Sequence, residues 1–136
     1  TAYSRMSALT AMHGYRKTRP LQPTTVIEPH VWPPLLVIHG SGDTVVSMDN
    51  ALAAVQVWAD AGGAGPGPGR AARRGKRYPT TVTDFKRQGM PVATLVQVDG
   101  LGHAWSGGAP KQQYSDALGP DASRLIWAFA ARQFRR

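Results

Sequence analysis

Hydrophobic positions change their period several times along the chain, and each period points to a different element. Over 1–16, Met6, Leu9 and Met12 recur at helical spacing and Gly14 supplies a stop, which predicts a short helix. Residues 17–34 are proline-rich and aperiodic, an irregular connection. The run PLLVIHG at 34–40 is apolar without alternation and ends in glycine. Such a run suits a strand buried on both faces, as in a parallel sheet covered by helices. The clearest helix lies at 47–63, SMDNALAAVQVWADAGG. Ser47 and Asp49 are its candidate N-caps, Leu52, Val55 and Trp58 or Ala59 share one apolar face, and Gly62 and Gly63 end it.

Beyond that helix the pattern breaks. Residues 62–77, GGAGPGPGRAARRGKR, carry six glycines and two prolines and offer no core-forming side chains, so they predict a flexible surface insertion. TTVTDFKR (80–87) and PVATLVQVDG (91–100) predict two strands, with Gln88-Gly89-Met90 as a hairpin connection. The last element, GPDASRLIWAFAARQF (119–134), predicts a helix with Pro120 near its start, Asp121 as cap or first-turn acid, and Leu125, Ile126, Phe129 and Phe134 as its buried stripe. Trp58 and Trp127 fall on helical faces and are expected in the core. The order helix, buried strand, helix, strand pair, loop, helix predicts an α/β layered fold. A parallel sheet covered on both faces needs several βαβ units of about 30 residues each. The visible strands therefore predict part of such a sheet, in a single partial domain spanning 1–136.

Composition narrows the function classes. With 42% hydrophobic residues the chain is expected to fold. No window approaches the roughly 20 apolar residues of a membrane-spanning helix. Zero cysteines exclude disulfides and thiolate metal sites. The net charge of +8 is concentrated in Arg70–Arg77, where five basic residues cluster. A run of this kind can attract anions, but it carries no interleaved stacking aromatics and no helix-turn-helix or zinc pattern. No nucleic-acid partner is expected. His13 and His30 have no partners at metal spacing, so no metal and no cofactor are expected either.

Candidate chemistry lies in two glycine-rich loops, each directly after a strand. HGSGDTVV carries Asp43, and DGLGHAWSGG carries His103, 60 residues further on. Functional groups in open α/β sheets collect at the carboxyl ends of strands. A carboxylate accepting from the Nδ1–H of an imidazole fixes its tautomer, and Nε2 is then free to take a proton. A serine hydroxyl beside such an imidazole becomes a usable nucleophile. Asp43 could instead bond nearby backbone amides as an Asx-turn. Asp49 reads as a helix cap, Asp99 as a strand end and His39 as a packed structural histidine. Trp105 either lines a substrate pocket or braces the loop.

PPLLVIHGSGDTVVSMDNALAAVQVW, VQVDGLGHAWSGG and GPDASRLIWAFAARQF together resemble the C-terminal half of the esterase/poly(3-hydroxybutyrate) depolymerase family of α/β-hydrolases. SALTAMHGY is similar to the helical stretch between nucleophile and acid in that family. The resemblance covers about residues 33–60 and 78–134. It implies a mostly parallel sheet flanked by helices, a carboxylic ester substrate such as a hydroxyalkanoate oligomer or polymer, and a secreted or periplasmic protein. It also implies a Ser–Asp–His triad with Asp43 as acid and His103 as general base. No G-x-S-x-G occurs in the 136 residues, and neither Ser41 nor Ser106 has the flanking glycines of a nucleophile elbow. The nucleophile and the oxyanion-hole loop are thus expected on a missing N-terminal half, leaving this chain inactive alone. A peptidase or acyltransferase of the same fold is the alternative enzyme. A basic anion-binding module is the alternative outside enzymes, and it predicts salt-sensitive binding that survives loss of His103.

Overall fold

The computed structural model describes residues 32–73 and 77–135. The helix expected over 1–16 and most of the connection over 17–34 lie outside the described residues. The apolar run forms strand β1, Leu35–Gly40. Helix α1, Met48–Gly62, follows. Its N-cap is Ser47, whose hydroxyl accepts from Asp49 N–H, and its C-cap is Gly63 in the left-handed conformation. Asp49 is therefore not the cap. It sits in the first turn, where the helix's positive end favours a carboxylate.

Short strands β2, Gly65–Pro66, and β3, Arg70–Ala72, come next, then the long pair β4, Thr80–Arg87, and β5, Met90–Val98. The β4–β5 turn is two residues, Gln88 and Gly89, with φ of 50° and 80°. Two left-handed residues match the right-handed twist of a hairpin. Minor strands β6, Trp105–Ser106, and β7, Ser115–Asp116, pair in parallel. Helix α2, Ala122–Phe134, ends the described chain, capped by Asp121, whose carboxylate accepts from Arg124 N–H.

This topology corrects the expected fold class, the mostly parallel, helix-flanked sheet of an α/β-hydrolase. The main sheet runs β1-β5-β4-β2, with β3 also on β4. Only β1 and β5 are parallel, whereas β5–β4, β4–β2 and β4–β3 are antiparallel. Two helices accompany it among the described residues. The physical reason is connection length. Strands joined by two residues can only run antiparallel, because a parallel neighbour needs a crossover of about a dozen residues or more. In the region 62–77, where composition predicted no regular structure, β2 and β3 pair with β4 through backbone bonds that need no large side chain.

Alternation along β5 divides the core. Ala93 and Leu95 join Ala51, Val55, Ala59 and Phe85 on one face, with Leu35, Val37 and Trp58 packed against them. Val96 and Val98 join Leu101 on the other, with Leu36, Ile38, Tyr78 and Leu125. Helix α1 thus buries Ala51, Val55 and Ala59 at four-residue spacing, while Leu52 is exposed. Small residues in that row let the helix approach β1 and β5 closely. On α2 only Ala122 is buried. The expected stripe is half-buried at Leu125 and Phe129 but exposed at Ile126 and Phe134, and Trp127 is 70% exposed rather than in the core.

Candidate functional site

Parallel neighbours send their following loops off the same edge of a sheet. Gly40, the last residue of β1, pairs in register with Val98, the last of β5. The Asp43 loop after β1 and the His103 loop after β5 therefore start side by side. Backbone bonds then stitch them together: Ser41 N–H donates to Val98 O at 3.0 Å and Gly42 N–H to Leu101 O at 3.0 Å. The Ser41 hydroxyl accepts from Gly100 N–H at 2.9 Å. Gly40 is required for this approach, because a Cβ there would lie 2.1 Å from the Leu101 carbonyl oxygen.

On that frame the two candidate residues meet. His103 Nδ1 lies 2.9 Å from Asp43 Oδ2. The other carboxylate oxygen, Oδ1, accepts from Val45 N–H and Val46 N–H, each at 2.8 Å. Asp43 thus makes both sets of contacts, one oxygen bonded to the local turn and one to the imidazole. Burial by itself pushes the Asp43 carboxyl up, but the bonds from Val46 N–H, the His103 ring and Val45 N–H outweigh it and hold it below the usual carboxylate range. The Asp43 side chain is only 6% exposed and that of His103 42% exposed, so the acid is sheltered and the imidazole reaches solvent.

His39 has a part in this geometry beyond packing. It is half-buried, and its Nε2 lies 3.1 Å from the Val46 carbonyl, clamping the loop whose amide holds Asp43. Tyr114 meets the His103 ring edge-to-face, with ring centroids 5.7 Å apart and planes at 77°. Sequence reading missed this contact. It depends on a left-handed backbone at Tyr114, φ 56°, and no residue pattern marks a bulky side chain for that conformation.

An open cleft of about 490 Å³ runs beside the pair. Leu36, Ile38, Leu101, Ala122 and Ile126 give it apolar walls, and Trp105 and Tyr114 border it. Trp105 is 51% exposed and lines this cleft. Among the described residues no lysine or arginine lines it. Neither sequence-flagged serine hydroxyl bonds to His103: Ser41 faces Gly100, and Ser106, buried, donates to Pro120 O at 2.7 Å. Asp99 accepts from Gln97 Nε2 and stays outside the pair. Arg70 of the basic run is bound to Asp84 at 2.8 Å. Among the described residues no group of His, Asp or Glu side chains could hold a metal ion, and no helix is long and apolar enough to cross a membrane. Chemically, the arrangement can hold an imidazole in the Nδ1–H tautomer with Nε2 open to a proton, beside a cleft with apolar walls. No protein-family model matches the chain, and no curated protein matches it.

Proposed function

We propose that this chain supplies the acid and the base of a serine ester hydrolase, with Asp43 as acid and His103 as base. The nucleophilic serine is not among the described residues. The observation that carries the reading is the 2.9 Å bond from His103 Nδ1 to a carboxylate whose other oxygen is already saturated by backbone amides. In the reaction the serine oxygen attacks the ester carbonyl while His103 Nε2 takes the hydroxyl proton. The tetrahedral intermediate collapses, the carbon–oxygen bond to the alcohol breaks, and Nε2 returns the proton to the departing alkoxide. Water then repeats the sequence on the acyl-enzyme, releasing the acid and the serine. The substrate class is a carboxylic ester of hydroxyalkanoate type. A cleft with apolar walls, and with no basic side chain among the described residues, suits the uncharged interior of such a chain better than a free carboxylate.

The experiment compares the protein that carries this chain with its His103→Ala variant on p-nitrophenyl butyrate and hydroxybutyrate oligomers. The expected loss is about 10⁴-fold or more in kcat, since triad members act as a unit. A fluorophosphonate probe should label that protein and leave the isolated 136 residues unlabelled. Unchanged turnover in His103→Ala overturns the reading, and stoichiometric labelling of the isolated chain overturns the assignment of the serine elsewhere.

A further inference from the structure

A single hydrogen bond fixes one atom of a ring, not its plane. The torsion that turns an imidazole about Cβ–Cγ is soft, with broad wells. His103 is bonded through Nδ1 and stands 42% exposed, so its Nε2 could swing through a wide arc. Tyr114 meets it from the side, ring planes at 77° and centroids 5.7 Å apart, an edge-to-face geometry that favours one mutual orientation.

The chain goes to some length to hold Tyr114 there. Its φ of 56° is left-handed, a conformation that a bulky side chain rarely adopts. Trp105 N–H donates to the Tyr114 carbonyl at 2.7 Å, and the β6–β7 ladder continues directly from that bond. The residue two positions after the imidazole thereby anchors the residue that packs on it. Yet the Tyr114 side chain does not belong to the core: the residue is 63% exposed and borders the cleft. A strained backbone that delivers an exposed ring to one partner points to a role at that partner.

We propose that Tyr114 is the positioning residue of the base, its ring setting the plane of the His103 imidazole while Asp43 sets the tautomer. The proposal rests on the acid–base reading above, and its test separates the two. Tyr114→Gly removes the ring and relieves the left-handed backbone, so folding is retained; Tyr114→Asn, also tolerant of that backbone, is the second variant. Tyr114→Phe keeps the ring. In the glycine and asparagine variants the His103 Nδ1 proton, followed by NMR, should exchange with water about tenfold faster or more, because the bond that shelters it is no longer braced. kcat on p-nitrophenyl butyrate should fall about tenfold or more, with KM little changed, as expected for a misplaced catalytic group. Tyr114→Phe should match the parent in both. An unchanged proton exchange rate in Tyr114→Gly overturns the proposal whatever the kinetics. So does a Tyr114→Phe variant as damaged as the glycine one. If the protein hydrolyses no ester, the hydrolase reading falls alone, and the exchange measurement still decides Tyr114.

Discussion

Replacing Asp43 with asparagine changes one atom of the site and inverts its logic. The carboxylate accepts three hydrogen bonds, two at Oδ1 from Val45 and Val46 N–H and one at Oδ2 from His103 Nδ1. In Asp43→Asn the amide oxygen must stay on the Oδ1 side, because two backbone donors at 2.8 Å leave no room for an NH₂ group there. The NH₂ group then faces Nδ1, which must become an acceptor. The ring shifts to its Nε2–H tautomer and cannot take a proton from a serine. Two of the three bonds survive and the third is reversed, running from the amide NH₂ to Nδ1, so the stability loss should not exceed about 0.5–1.5 kcal/mol, the charge-assisted bond becoming a neutral one at a partly solvated ring. Turnover should fall about 10⁴-fold, which is roughly 5 kcal/mol of transition-state stabilisation. A depressed carboxyl adds stability above its unfolded value, lost as pH falls through the folded one, so that acid-side loss should be missing from the variant's stability profile. ¹⁵N NMR of the ring reports the tautomer, and ester hydrolysis reports the rate. Retention of the Nδ1–H form, or turnover within tenfold of the parent, would refute the reasoning.

Gly40→Ala drives a Cβ to 2.1 Å from the Leu101 carbonyl; overpacking of this kind should cost about 1–3 kcal/mol and separate the two loops, and an unchanged melting temperature would contradict it. Tyr78 donates to Asp116 at 2.6 Å, a bond that raises the tyrosine and lowers the aspartate from their ordinary values. The raised group stabilises below its unfolded pKa and the lowered one above its own, so the penalty of Tyr78→Phe, about 1 kcal/mol, should be full between the ordinary values of 3.8 and 10.0 and shrink outside them. A penalty that grows on acidification would contradict that sign.

Much of the site was legible because its signals are local. Glycines around Asp43 and His103 mark tight loops, each after an apolar strand, and the caps of both helices follow short-range rules. The same is true of the Gln88-Gly89 hairpin. Fold class was not legible, since the alternation of elements suggested crossovers while that very hairpin forces β4 and β5 antiparallel. Strands β2 and β3 were hidden because edge pairing to β4 rests on backbone groups that composition does not report. Trp127 and Phe134 show another limit: a helical stripe states which residues share a face, not whether anything covers it. Tyr114 carries no signal at all, because its partner is set by a ladder formed only in the fold.

Because β1 and β5 are parallel neighbours in register, Asp43 and His103 are adjacent whatever path the chain takes between them. The 60 residues separating Asp43 from His103 act as a tether, not a ruler. Cutting that tether in the glycine–proline stretch between Pro66 and Arg70 would leave β1 and α1 on one piece and β3, β4, β5 and α2 on the other. The core of Ala51, Val55 and Ala59 against Phe85, Ala93 and Leu95 spans the cut. Two separately synthesised pieces therefore have an apolar interface through which to reassociate, and the site would then be an interface property, switched on by assembly.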